Sequence, residues 1–151
     1  YYYSNMSPMI ADFIRESWSK LEDLFRAYIY RNPETQLYIV TGPVLRDDLV
    51  KIPRAVNNVT VPKHFYKVAL DITNKRAIGF ILPNARNEKP QEAYALSIDT
   101  IESLTSMDFY YQLPDDVENK LEANANPKEF LSLAEQTDVV PDHPTKLPRN
   151  C

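Results

Sequence analysis

Residues Tyr1 to Arg31 read YYYSNMSPMIADFIRESWSKLEDLFRAYIYR and decide the fold of this chain. The aromatic opening, Tyr1 to Tyr3, is typical of a β-strand, and the Asn, Ser and Pro residues after it are typical of a turn. The apolar residues that recur next at helical spacing are Phe13, Trp18, Leu21, Leu24, Phe25, Tyr28 and Ile29. This periodicity predicts an amphipathic helix that has Asp12 as its N-cap and ends before Pro33.

Three side chains of this helix raise the question of function. Trp18, Glu22 and Arg26 are spaced four residues apart, which places them on one stripe of an α-helix. Two interpretations of the charged pair stay open. The carboxylate and guanidinium form a solvated ion pair worth about 0.3–0.5 kcal/mol, or they belong to a site that handles phosphate. Trp18 is interpreted as a core residue rather than a base-stacking platform.

The chain after the helix alternates β-forming runs with turn residues. Leu37–Thr41 is apolar on both faces and is therefore predicted as a central strand, whereas residues 46–60 are predicted as loop. Further strands are predicted at 65–72, 77–82 and 94–98, with a turn at 73–75 that pairs the first two antiparallel. The pattern predicts an α+β fold, an antiparallel sheet of four or more strands with helices packed on its faces.

The last third of the chain predicts short helices and a tail. Asp99 is predicted to cap a helix, with Glu102 completing a capping box, and two more helices are predicted at 117–123 and 127–135. From Thr137 onward the chain is rich in proline and poor in core-forming residues, which is typical of a tail or linker. We therefore divide the chain into a domain at 1–125 and a short helix with a Pro-rich tail at 126–151.

Composition excludes some classes of function. Seventeen basic and 21 acidic residues give a net charge of −4, which argues against binding nucleic acid by bulk charge alone. Four basic residues leave two interpretations open: they line a nucleic-acid groove, or they belong to a solvated loop. Their low density favours the loop; they are Lys51, Arg54, Lys63 and His64. No apolar run is long enough to span a membrane. The sole cysteine, Cys151, pairs with another chain or stays free.

Several blocks in a fixed order resemble the DNA/RNA non-specific endonuclease family. They are SNMSP at 4–8, W-x-x-x-E-D-x-x-R at 18–26, YIVTGPV at 38–44, VPKHFYKV at 61–68, AIGFILPN at 77–84 and SIDTIESLTSMDFYYQLPDD at 97–116. The resemblance covers roughly residues 1 to 120. It implies a ββα-metal (His-Me finger) nuclease fold whose N-terminal portion is missing here. It also implies a general-base histidine in an upstream Asp-Arg-Gly-His motif, and a Mg²⁺ ion that stabilises charge on the phosphate.

The resemblance assigns roles to four residues of this chain. Asn5 matches the asparagine of the turn that organises the site, and Glu22 matches the helix carboxylate that orients water on the metal. Arg26 matches the arginine that contacts phosphate, and Lys67 is structural or phosphate-facing. The resemblance thus implies catalytic roles for Asn5, Glu22 and Arg26, and nucleic-acid contacts for Arg26 and Lys67.

The chain departs from the family at the position that should hold the metal. The ligand asparagine is expected four residues before Trp18, where this chain has Ile14, and Glu16 replaces a usual glycine. A branched aliphatic side chain offers no oxygen to Mg²⁺, so we predict no direct protein ligand for the metal. The two histidines do not replace the general base: His64 is interpreted as a partly buried structural residue, and His143 lies in the tail.

Two functions follow from these matches and departures. The first is a catalytically inactive nuclease-fold subunit that acts as a structural or binding module. The second is a Mg²⁺-dependent DNA/RNA endonuclease whose histidine-bearing half lies upstream or in another chain. A noncatalytic nucleic-acid-binding protein ranks third, because the isoelectric point is near 5.2. The expected partner is the missing half or another protein chain docked against Tyr1–Tyr3, and the family resemblance implies a secreted, periplasmic or envelope-associated protein.

Overall fold

The predicted amphipathic helix is present in a computed structural model of the chain, which describes residues 6–46, 48–53, 59–123, 126, 127 and 130. It consists of a π-helical segment, Phe13–Trp18, followed directly by helix α1, Ser19–Arg31. It ends before Pro33, as predicted. The expected strand at Tyr1–Tyr3 and the turn residue Asn5 lie outside the described residues.

The prediction that Asp12 is the N-cap is wrong. The Asp12 backbone is already helical, and its side chain accepts no capping hydrogen bond. The Ile14 N–H donates to the Ile10 carbonyl oxygen at 3.1 Å, so backbone hydrogen bonds form the first turn of the helix earlier in the chain than the apolar pattern indicates. At the other end, the Asn32 side-chain amide donates to the Tyr28 carbonyl oxygen at 2.8 Å and closes the helix.

A four-stranded antiparallel sheet forms the centre of the fold. Its strands are β1 (Leu37–Pro43), β4 (His64–Asp71), β5 (Arg76–Pro83) and β6 (Ala95–Leu96), in the spatial order β1-β4-β5-β6. The predicted turn between β4 and β5 is confirmed, and Lys75 takes a positive φ of 53° within it. A separate hairpin, β2 (Val50–Lys51) with β3 (Thr60–Val61), lies in the stretch predicted as loop.

The prediction of a central strand at Leu37–Thr41 is wrong for the described sheet. Strand β1 is at its edge, paired only with β4 among the described strands. Tyr38, Ile39 and Val40 are all exposed. Apolar residues on both faces of a strand favour a central position only where layers cover both faces, whereas of the β1 residues only Leu37 packs against one of the two described cores.

The two faces of the sheet carry different helices, because side chains alternate along each strand. On one face the π-helical segment and α1 pack against a cluster that includes Phe65, Ala69 and Phe80. On the other face helix α2 (Ile98–Thr105) and helix α3 (Asp115–Glu122) pack against residues such as Tyr66, Val68 and Leu70. The α+β architecture with helices on both faces is confirmed.

The N-cap of helix α2 lies two residues before the predicted one. The Ser97 hydroxyl oxygen accepts the Thr100 N–H at 3.3 Å, so Ser97 is the N-cap and the prediction of Asp99 is wrong. Glu102 does not close a capping box. After the helix, Ser106 turns the chain back with a φ of 56°. This turn brings the Phe109 N–H to the Glu102 carboxylate, which accepts it at 2.7 Å and so holds the loop in place.

Two further predictions are partly described. Of the helix predicted at 127–135, Pro127 and Phe130 are helical, and Phe130 is buried with its ring stacked on Tyr28 at 4.5 Å. The Pro-rich tail, His143 and Cys151 lie outside the described residues. His64 is exposed at the start of β4, so its interpretation as a partly buried residue is wrong. No helix of the described residues is long and apolar enough to cross a membrane.

Candidate functional site

The predicted site residues line an open groove between helix α1 and the edge of the sheet. Its walls are formed by Glu22, Phe25, Arg26, Ile29, Tyr30, Ile39 and Lys67. The floor is apolar, and the charged groups converge from α1 and from β4. Here the structure brings together three of the residues predicted from the family pattern, Glu22, Arg26 and Lys67.

Lys67 is the buried cation of the groove. It lies in the middle of β4, between Thr41 of β1 and Phe80 of β5, and only 7% of its surface is exposed. Its ammonium nitrogen lies 4.7 Å from the centre of the Trp18 ring and 3.8 Å from Glu22 Oε1. Burial lowers the pKa of Lys67, and the Glu22 carboxylate opposes that shift. The ammonium thus faces an indole and a carboxylate rather than bulk water.

Glu22 divides its two oxygens between two cations. Oε1 faces Lys67, and Oε2 lies 3.4 Å from Arg26 Nη2. Arg26 also forms an ion pair with Asp23, and its side chain is more than half exposed. The predicted stripe of Trp18, Glu22 and Arg26 therefore exists, and Lys67 links the tryptophan to the glutamate.

Ile14 is not part of this stripe. Its side chain is 44% exposed, whereas Trp18, four residues later, is buried. The Ser19 N–H donates to the Ile14 carbonyl oxygen, an i→i−5 bond that widens the turn. In such a turn, side chains four residues apart no longer stack as they do in an α-helix. The position at which the metal ligand was expected thus holds an aliphatic side chain that faces solvent.

Two long-range hydrogen-bond networks position the helix, and neither was predicted from the sequence. Asp71, at the end of β4, is fully buried and accepts the Tyr28 hydroxyl at 2.5 Å. Asn84 accepts the Ile10 N–H at 2.8 Å and donates to the carbonyl oxygens of Pro8 (3.2 Å) and Pro62 (2.9 Å). Asn84 therefore ties the segment before the helix to the end of β5, and Asp71 ties the far end of α1 to β4.

The sequence does hold a signal for Lys67 and Asp71. Residues 65, 67, 69 and 71 share one face of β4, and the first and third are buried apolar residues of the core under α1. A charged residue in such a row needs a partner from the opposing layer, because an unpaired buried charge is costly. No local pattern points to Asn84. Asn5 lies outside the described residues, so its role stays a prediction.

The carboxylates of residues 11–31 do not fit a Mg²⁺ site. Each lies within 4.0 Å of a basic side chain: Asp12 with Arg15, Glu16 with Arg86, Glu22 with Lys67 and Arg26, and Asp23 with Arg26. Mg²⁺ requires near-octahedral oxygen ligands and is usually held by at least one free carboxylate or amide oxygen. Ile14 supplies none, so we assign no step to a metal at this helix.

The Glu22–Lys67 pair gives a prediction about stability. Glu22→Gln leaves the buried ammonium without its carboxylate and should lower the free energy of unfolding by about 1–2 kcal/mol, less than for a fully buried pair because Glu22 is partly exposed. Lys67→Met keeps the packing against Trp18 and should stay within about 1 kcal/mol of the wild type.

Urea denaturation of the two variants measures this difference. Asp23→Asn is the control, because it removes an exposed carboxylate of the same helix and should change stability by less than about 0.5 kcal/mol. If Lys67→Met proved more destabilising than Glu22→Gln, the ammonium itself would be a net stabiliser of the fold, and the prediction would be wrong.

Comparisons with known proteins agree with this arrangement. The family model described as DNA/RNA non-specific endonuclease matches residues 1–116. A nuclease of Serratia marcescens is 31% identical over 127 residues, covering 81% of this chain and 47% of that protein. The mitochondrial endonuclease G of Caenorhabditis elegans is 33% identical over 127 residues, covering 75% of this chain and 41% of that protein.

A solved structure shows the same fold. The crystal structure of the EndoG/EndoGI complex, determined to explain how EndoG is inhibited, matches with a TM-score of 0.59 and 28% identity over 75% of this chain and 51% of that chain. The fold is thus that of a ββα-metal nuclease, an antiparallel sheet with packed helices. The chain belongs to the DNA/RNA non-specific endonuclease family, and it spans about half the length of the curated relatives it matches.

Proposed function

We propose that this chain is a catalytically inactive member of the endonuclease family that acts as a structural or binding module. The observation that carries the proposal is Ile14, an exposed aliphatic residue where the family pattern expects the metal-ligand asparagine. Mg²⁺ binds oxygen, and an isoleucine side chain has none to offer. The charge of Glu22 is also compensated by Lys67 and Arg26, so its carboxylate would hold metal-bound water only weakly.

The groove supports binding better than hydrolysis. Arg26 keeps an exposed guanidinium at the rim, whereas the Lys67 ammonium lies beneath it, paired to Glu22. An exposed guanidinium can make a bidentate contact with a phosphate or carboxylate of a partner. The apolar floor formed by Phe25, Ile29 and Ile39 would take an aromatic or aliphatic group next to it. With a net charge of −4, a small anionic feature of a partner suits this groove better than a long nucleic-acid backbone.

The second candidate is a working Mg²⁺-dependent DNA/RNA endonuclease whose general-base histidine lies upstream or in another chain. Glu22 and Arg26 favour it, because both face one groove at the positions that the family pattern assigns to water orientation and phosphate contact. The two candidates differ in what the protein does with phosphodiesters in the presence of metal.

A cleavage assay separates them. Full-length protein with Mg²⁺ and plasmid DNA or RNA should show no cleavage above a buffer control, and Ile14→Asn alone should not create any. The matched control is Ile10→Asn, which makes the same exchange at another exposed isoleucine before the helix. Cleavage by the wild type that is abolished by a chelator and by Glu22→Gln would establish the second candidate. Cleavage gained by Ile14→Asn but not by Ile10→Asn would show that the metal ligand is the one part missing.

A further inference from the structure

Helices α2 and α3 bring three carboxylates together on the sheet face opposite α1. Asp99 and Glu102 belong to α2, and Glu122 is the last residue of α3. One oxygen from each lies within 4.8 Å of the other two. The buried residues next to them, Ile98, Ile101 and Leu121, belong to the core between these helices and the sheet. Phe25, which lines the groove, belongs to the core on the other side of the sheet. This acidic group is therefore separate from the groove.

Glu122 is the buried member of the acidic group. Only 6% of its surface is exposed, and its Oε1 atom is fully buried without a hydrogen-bond partner. One turn earlier in α3, Glu118 also has a buried Oε1 atom without a partner. A buried polar oxygen that makes no hydrogen bond destabilises the folded state, and more so when it is charged. The unpartnered oxygen of Glu122 therefore needs a proton or a ligand from outside the described residues.

The electrostatic surroundings of Glu122 point to a cation. The negative charges of Glu102, Glu118, Asp99 and Asp108 all act on the Glu122 carboxylate. Carboxylates this close repel one another unless a proton or a positive charge lies between them. A proton on one oxygen would remove the repulsion within one pair of carboxylates, whereas a divalent cation would offset the negative charge of all three at once.

We propose that Asp99, Glu102 and Glu122 bind a divalent cation of the Ca²⁺ type, which links helices α2 and α3. Ca²⁺ takes six to eight oxygen ligands at 2.3–2.6 Å, so two ligands on opposite sides of one ion lie about 4.6–5.2 Å apart. Oxygens within 4.8 Å of one another fit around such an ion. Glu102 uses Oε1 to hold the Phe109 N–H, which leaves its other oxygen to the ion and couples the site to the loop after α2.

The site has a structural role rather than a part in the groove. The ion would join an exposed residue at the start of α2, Asp99, to a buried residue at the end of α3, Glu122. Both helices contact β5, and α2 packs so closely on it that a Cβ atom on Gly79 would lie 2.3 Å from Ile101 Cδ1. Binding should therefore stabilise the whole domain, whether or not the groove hydrolyses anything.

Calorimetric titration and thermal unfolding of the chelator-treated full-length protein test the site. We expect Ca²⁺ to bind with a stoichiometry of one and to raise Tm by roughly 5–10 °C at about 100 times Kd. Mg²⁺ at the same concentration should raise it less. Glu122→Gln should abolish the Ca²⁺ response, and Asp99→Asn, at an exposed position that the fold tolerates, should weaken binding at least tenfold. Asp116→Asn, on the exposed side of α3, is the matched control and should respond like the wild type.

Three results would overturn the proposal. A wild-type protein whose Tm does not respond to Ca²⁺ has no such site, and its Glu122 is then held by a proton. A Ca²⁺ response that survives in both Glu122→Gln and Asp99→Asn places the ion elsewhere. An equal response to Mg²⁺ refutes the assignment to Ca²⁺. Because none of these measurements depends on cleavage, a failure here is distinct from a failure of the proposed function.

Discussion

Trp18→Ala should lower the free energy of unfolding by about 3–5 kcal/mol, the range typical of large aromatic residues removed from a core. Trp18 is buried where the π-helical segment meets the sheet, with its ring 5.4 Å from Phe13 and 6.0 Å from Phe65 between centroids. It also carries the Lys67 ammonium on its face, so the substitution removes a cation–π contact as well as apolar area. A domain of ordinary stability would lose a large share of its free energy of unfolding.

Urea denaturation followed by circular dichroism measures this loss, because Trp18 is the only tryptophan and its fluorescence disappears with it. Tyr30→Ala is the control: it removes a large aromatic residue from an exposed position of the same helix and should cost less than about 0.5 kcal/mol. Trp18→Phe should fall between the two. A cost below about 1 kcal/mol for Trp18→Ala would mean that the indole is not part of the core.

Asp71→Ala should destabilise the protein by about 3 kcal/mol, because it leaves the buried Tyr28 hydroxyl without its acceptor and removes two hydrogen bonds from Asn74. The Asp71 carboxylate accepts the Tyr28 hydroxyl at 2.5 Å, the Asn74 N–H at 2.9 Å and the Asn74 side-chain amide at 2.7 Å. It thus joins helix α1 to the turn between β4 and β5. Tyr28→Phe removes only one of these donors and should cost about 1 kcal/mol, which makes it the matched partial variant.

The same carboxylate makes stability depend on pH. Burial alone would raise the pKa of Asp71, but hydrogen bonds from Asn74 and Tyr28 outweigh it and hold the pKa below its ordinary value of 3.8. Because the folded pKa is depressed, this stabilisation is fully present above pH 3.8 and is lost as the pH falls through the folded pKa. Asp71→Asn should remove that part of the acid sensitivity. An unchanged pH profile of the urea midpoint between pH 5 and 2 would contradict the assignment.

The elements defined by local pattern were the ones that sequence could predict. The apolar period of residues 13–29 gave the helix, and the β-forming runs on either side of Thr73-Asn74-Lys75 gave the hairpin of β4 and β5. The side chains at positions 22 and 26 share a groove because four-residue spacing holds within α1. In these cases the cause of the structure lies within one element.

The features that sequence could not predict depend on contacts between distant residues. Tyr28 and Asp71 are 43 positions apart, and Asn84 bonds to Pro8 across 76 positions, so the alternation along β4 marks Asp71 as needing a partner but no local pattern identifies the partner of either residue. The π-helical turn has no apolar period of its own, so the sequence predicted a regular helix through Ile14 and Trp18. The exposure of β1 is set by which layers cover the sheet, and that is a property of the assembled fold rather than of the strand.

The edge position of β1 affects how the protein behaves in concentrated solution. Tyr38, Ile39 and Val40 are exposed on a strand that has no described strand on its outer side, and such an edge is a template for intermolecular strand pairing and aggregation. The Tyr110 hydroxyl donates to the Tyr38 carbonyl oxygen at 3.1 Å, so one backbone acceptor of the strand is already occupied. The strand also ends at Gly42 and Pro43, and a proline cannot donate to a ladder. The segment open to self-association is therefore only about four residues long.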